Sequence, residues 1–421
     1  MSFNQYTWDL YKQTTIGIEM IKYFSDAGGY VLFKDYCPYA NFIPEDLYND
    51  WLENIYCYGV SDYDHPSLLE EAKDLYISLI TLGIRVEGQQ WLPANDFKNM
   101  LGIIQPMSYV LSQFAPEYFF PYLFLCRIFE LNKIADFFNI DLPNIPKRTD
   151  YKGRCMYYWE LCEVFYLFRK ENGLSPADLW SFLYDFAPNN LPSEKIDMPK
   201  PSQVWFIGGR LYQEDKSLES KFWQSSPETK KGDILVHYET SPISAITCIE
   251  ISLTDGVIDP LFRYYGCIYI GNRINIPHIT LKELQTDEYF FKHPLVRKNF
   301  QGVNGWSVNS ENYSELLRMI KTKGFDIEVL PKLYAPTLPK DVIIEYEHDV
   351  EQQLLEPLLN SMGWYENKDF IRQLPIQAGR GHRIFPDYAL HYGNKPNEER
   401  AKVLIEAKLC MRNNKEREEA Y

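Results

Sequence analysis

The chain has 421 residues, 45% of them hydrophobic and 24% charged, which is enough apolar material for two or three packed domains. A formal net charge of −15 argues against nucleic-acid binding driven by bulk charge. Eight scattered cysteines without a Cys-x-x-Cys pair give no zinc-ligand spacing and no disulfide framework, and Met1–Asp9 lacks the basic start and apolar run of a signal peptide.

Residues 1–195 read as mostly helical. Apolar residues recur at helical spacing from Pro66 to Ile80 and from Tyr157 to Arg169, and Ser175-Pro176-Ala177-Asp178 has a capping serine followed by proline at the first helical position. The greasiest stretch, Tyr118–Leu125, is broken by Pro121 and followed by Arg127 and Glu130, so it is no membrane span. This half carries 16 basic and 27 acidic side chains within residues 1–200, so most of the acidity sits here. It shows no phosphate loop or nucleophile elbow, and its aromatic stripes read as core. A reduced, cytoplasmic setting is expected.

A proline-rich connector from Pro192 to Pro201 leads to short apolar runs at Val204–Ile207, Ile234–Tyr238 and Ala245–Ile251, bounded by turn residues and expected to be strands. Residues 203–330 also carry Trp205-Phe206-Ile207-Gly208-Gly209, Phe222-Trp223, Lys230-Lys231-Gly232-Asp233, Asp259-Pro260 and Gly305-Trp306. In this order they resemble the EVE branch of the PUA-like β-barrels, which are similar in fold to YTH domains. The resemblance implies a reader of a flipped, modified base. Trp205, Trp223, Tyr238 and Trp306 are the candidate stacking surfaces, and Gly208 would allow close backbone approach.

A second connector, Pro331–Pro339, precedes the segment 341–421. Its informative residues are Pro386-Asp387, a turn at Gly393-Asn394, and the apolar run Val403-Leu404-Ile405 leading into Glu406-Ala407-Lys408. Side chains alternate along a strand, so Glu406 and Lys408 share a face, and two carboxylates with one ammonium at paired strand ends suit a divalent cation and an activated water. Together with Glu345–Leu359, Gly363-Trp364, Gln373–Ile376 and Gly379–Gly381, the segment resembles the PD-(D/E)xK nucleases, most of all the N-terminal nuclease domain of type I restriction R subunits. The resemblance implies that Asp387 and Glu406, with the Ala407 carbonyl, hold Mg²⁺ and that Lys408 positions the attacking water. It expects a further acid from the helix near 345–359, with Glu347 the better match and Glu351 one turn on. The chain ends soon after Lys408, in Asn413–Tyr421, the first turns of a helix that the family usually continues. A truncated or incomplete nuclease is therefore also an expectation.

The expected architecture is multidomain α+β: a helical N-terminal half, a PUA-like (EVE) β-barrel and a C-terminal α/β PD-(D/E)xK nuclease domain. The expected function is a modification-dependent restriction endonuclease, a Mg²⁺-dependent hydrolase with DNA as partner and a homodimer as its possible assembly. Two alternatives stay open. One is a nucleic-acid-binding protein whose nuclease domain is inactive or incomplete; the other is a type I restriction R-like subunit relying on a separate specificity protein.

Overall fold

The computed structural model describes residues 3–37, 43–86, 89–92, 95–192, 198–210, 220–334, 342–379, 382–393 and 400–408. The fold is multidomain α+β, and the chain divides into two compact units: residues 1–195 with 258–266, and residues 196–257 with 267–421.

The first unit is built from helices, among them Gln5–Tyr11, Thr15–Asp26, Glu45–Ile55, Leu69–Leu82, Ile104–Phe114, Ile128–Phe138 and Tyr151–Glu171, with one hairpin of β1 (Ile84–Val86) and β2 (Gln89–Leu92). The helix starts are chemically marked. Asp150 accepts the Gly153 N–H, and Ser175, the expected cap of Pro176–Ser181, forms a reciprocal capping box with Asp178. Aromatic rings fill the core: Trp8, Tyr76, Tyr158 and Trp159 are buried, and the Tyr158 hydroxyl donates to the Phe120 carbonyl at 2.7 Å. The Phe119–Phe124 stretch runs buried without regular structure; side chains satisfy its backbone, as where Tyr122 N donates to Ser108 Oγ at 2.8 Å.

Asp259-Pro260, expected to belong to the barrel, lies in a loop of this first unit. Buried Arg154 donates to the Pro260 and Phe262 carbonyls at 2.8 and 2.7 Å, which fixes the loop.

The second unit contains a curled, mixed seven-stranded sheet made of β3 (Val204–Gly209), β4 (Ser220–Gln224), β5 (Ile234–Glu239), β6 (Ala245–Ser252), β7 (Val257–Ile258), β8 (Gly266–Thr280) and β9 (Trp306–Val308). The order is β4-β8-β6-β5-β3-β9, with β3 and β5 parallel and β7 paired to β8. One face, with Val204, Phe206, Val236, Ile246 and Ile249, packs on the helix Ser310–Thr322, whose Tyr313, Leu316, Met319 and Ile320 recur at helical spacing. The other face gathers Trp205, Ile207, Leu235, Ile268 and Ile270.

Lys230-Lys231-Gly232-Asp233 is a structural clamp. Gly232 sits at φ +92°, where a β-carbon would lie 2.5 Å from the Pro199 carbonyl oxygen. The buried Asp233 carboxylate accepts from Lys230 N (2.8 Å), Gln203 N (3.1 Å) and Trp205 Nε1 (2.9 Å). Burial outweighs these donors and pushes its pKa up to about 6.

The C-terminal part carries a helix over residues 347–361 with one π turn at Glu351–Leu355. It also has two small antiparallel sheets: β10 (Phe370–Arg372), β13 (Tyr388–Leu390) and β14 (Val403–Ile405) in the order β10-β13-β14, and β11 (Ile376–Gly379) with β12 (His382–Ile384). Leu359, Trp364, Phe370, Tyr388 and Leu390 form its core. Ion pairs Lys230–Asp369, Lys368–Asp255 and Lys402–Glu228 join it to the seven-stranded sheet.

An aspartate with a raised folded pKa keeps its proton where the unfolded chain has released it, so its contribution to stability falls as pH rises from about 4 through 6. Urea unfolding at pH 4 and pH 6.5 should show the wild type losing roughly 2 kcal/mol relative to Asp233→Asn across that window. Parallel profiles for the two proteins would remove Asp233 as the source.

Candidate functional site

Strands β13 and β14 pair as Tyr388↔Ile405, Ala389↔Leu404 and Leu390↔Val403. Extending that register by one residue sets Asp387 opposite Glu406. The Asp387 carboxylate completes the pairing: Oδ2 accepts the Ala407 N–H at 2.6 Å, and Oδ1 accepts from Gln373 Nε2 at 3.0 Å. Lys408 Nζ lies 3.2 Å from Glu406 Oε1 and 3.8 Å from Glu347 Oε1. The four residues expected from the sequence, Asp387, Glu406, Lys408 and Glu347, are therefore brought together from two strand ends and the first turn of the 347–361 helix.

The electrostatics follow from this spacing. Glu406 chiefly, with Glu347 and Asp387, raises the Lys408 pKa by stabilising its ammonium. The donor set is carboxylate and carbonyl oxygen, the hard ligands that Mg²⁺ takes. Among the described residues, however, the group of three metal-ligating side chains within 4.8 Å of one another is His237, Cys248 and Glu250. Asp387, Glu406 and Glu347 stand further apart, with the ammonium among them. The side chains of Glu406 and Glu347 are about half exposed.

Glu351 has a different task. It pairs with Arg372, as does Glu356 at 2.7 Å, and the Arg372 guanidinium stacks 5.4 Å over the Tyr388 ring. This arrangement braces β10 and β13 against the helix. Gly393 and Arg400 close the turn through two backbone hydrogen bonds of 2.8 and 3.0 Å; Asn394, Arg380, Gly381 and Asn413–Tyr421 lie outside the described residues.

Gln373 is the site residue that sequence reasoning passed over. It sits at φ +52°, a conformation that a non-glycine residue keeps only when neighbours hold it, and its N–H donates to the Pro386 carbonyl at 3.1 Å. Its only signal was its place in the Gln373–Ile376 context.

The five expected base-binding positions do not share one pocket. Trp205 and Trp223 lie on one face of the seven-stranded sheet; Gly208, Tyr238 and Trp306 lie on the other, since Trp306 pairs opposite Phe206. The period of two along β3 already separates Trp205 from Gly208. Trp205 is buried and bonded to Asp233, and Tyr238 stacks on Phe300 at 4.0 Å, so both rings are core. A β-carbon on Gly208 would meet Val303 Cγ1 at 2.4 Å, so that glycine admits a side chain of the protein itself. Trp223 and Trp306 are only partly buried.

No known family's sequence profile matches this chain, and no curated protein matches it. A solved structure that it resembles is the NMR structure of Rpa0253 from Rhodopseudomonas palustris, at 13% identity and a TM-score of 0.25, over 28% of this chain and 94% of that one. Among the described residues no helix is long and apolar enough to cross a membrane.

If Glu406 is the main partner of Lys408, Glu406→Gln lowers the Lys408 pKa toward the ordinary lysine value. NMR titration of the Lys408 side chain reads this directly, and an unmoved titration would break the assignment.

Proposed function

We propose that this chain is a Mg²⁺-dependent endodeoxyribonuclease of the PD-(D/E)xK type, directed to DNA carrying a modified base. The observation that carries the hydrolytic reading is the meeting of Asp387, Glu406, Lys408 and Glu347 at the β13–β14 strand ends. Asp387, Glu406 and the Ala407 carbonyl would hold the ion, which when bound polarises the scissile phosphate.

The remaining work belongs to the chain. Gln373 and the Ala407 N–H fix the Asp387 carboxylate, so its orientation is set before substrate arrives. Lys408 orients the attacking water and offsets negative charge developing on the phosphate. Glu347 supplies a third carboxylate, 3.8 Å from the ammonium.

The reader reading rests on the curled sheet. Trp223 on one face and Trp306 on the other are the rings not wholly consumed by the core, and stacking a base on either one is worth roughly 1–3 kcal/mol. Linking reader and nuclease in one chain would raise the local concentration of the cutting site at modified DNA.

Cleavage of matched duplexes carrying plain or modified cytosine, with Mg²⁺ and with Glu406→Ala alongside, tests both modules. The expected outcome is cutting of the modified duplex only, lowered about 10²-fold or more by the substitution. Equal cutting of both duplexes would retain the nuclease and remove the reader for that modification. Binding without cutting would favour a nucleic-acid-binding protein.

A further inference from the structure

A second cluster of chemistry-bearing side chains lies away from the strand ends just described. It sits on strands β5 and β6, on the face that carries Trp205 and Leu235. His237 pairs directly across from Cys248, and Leu235 across from Glu250. The register shifts between His237 and Tyr238 and between Ile246 and Cys248, so β6 carries an extra residue, Thr247, at that point. Upstream of the bulge the pairing is regular, so Cys248 and Glu250, two residues apart on β6, lie on the same face as their partners His237 and Leu235. All three side chains are buried, and one ligand atom from each lies within 4.8 Å of the others.

Two further features point to a ligand. Arg273 Nε donates to Glu250 Oε1 at 2.8 Å and so turns Oε2 toward His237 Nδ1, 2.9 Å away. An outer hydrogen-bonding partner of this kind is what orients carboxylate ligands in metal sites. His237 is fully buried, yet its Nε2 has no hydrogen-bond partner among the described residues. Trp223 covers the imidazole with its ring 4.9 Å away and screens the cluster from water. Cys57, by contrast, is exposed.

We propose that His237, Cys248 and Glu250 bind one transition-metal ion of the Zn²⁺ class, held between β5 and β6. Imidazole, thiolate and carboxylate form a borderline-soft set that favours Zn²⁺ or Co²⁺ over Mg²⁺. Binding forms a metal–sulfur bond and releases the Cys248 thiol proton to solvent; nothing is oxidised or reduced. Three protein ligands leave a fourth position for water or another donor. The proposal does not rest on the hydrolytic reading, since no residue is shared with Asp387, Glu406 or Lys408.

The test is metal loading of the full chain. After exposure to Zn²⁺ and gel filtration, elemental analysis should find one equivalent retained in the presence of excess Mg²⁺. Co²⁺ should produce a thiolate-to-cobalt charge-transfer band that is lost in Cys248→Ser and kept in Cys57→Ser. Arg273→Gln should weaken binding about ten- to a hundred-fold. The wild-type cobalt spectrum decides even if a variant fails to fold: absence of the thiolate band overturns the proposal. So does a band that survives in Cys248→Ser or disappears in Cys57→Ser.

Discussion

The burial of one carboxylate organises the middle of the chain. Asp233 gathers donors from the residues before β3, from the indole of Trp205 in β3 and from the turn before β5. It thereby brings two parallel strands together at the centre of a seven-stranded sheet. Hydrogen bonds to a charged group contribute about 1.5–3 kcal/mol each, so the set offsets much of what removing the carboxylate from water costs. The same turn presents Lys230, which pairs with Asp369 at the edge of the C-terminal sheet. The clamp that closes the central sheet thus also supplies an anchor for the segment bearing the candidate site.

Local chemistry made much of this legible in the sequence. Val204–Ile207, Ile234–Tyr238 and Ala245–Ile251 are β-branched and aromatic runs between turn residues, and each became a strand. Ser175, Pro176 and Asp178 announced a helix start that the backbone reproduces. The meeting of Asp387 with Glu406 and Lys408 was legible because antiparallel pairing and a period of two leave few other arrangements. Long-range effects were not legible. Only the fold shows that Glu351 is drawn to Arg372, or that Asp259-Pro260 belongs with Arg154 rather than the sheet.

Cross-strand pairing explains the other gap. Metal ligands legible in a sequence stand one helical turn or a short loop apart, whereas His237, Cys248 and Glu250 meet across two paired strands. Gln373 escaped for a related reason. Its role depends on a left-handed backbone angle, and residue type alone does not reveal that angle at a glutamine.

The three lysine–carboxylate pairs between the seven-stranded sheet and the C-terminal segment have a consequence for how the protein responds to its medium. Lys368–Asp255 and Lys402–Glu228 are exposed in part, whereas Lys230–Asp369 is largely shielded. Dissolved ions weaken the first two far more than the third. Rising ionic strength therefore loosens the rim of this seam while its buried pin holds, leaving the C-terminal segment freer to pivot about Lys230 than to detach. A polyanion approaching the same lysines would compete for them in the manner of added salt.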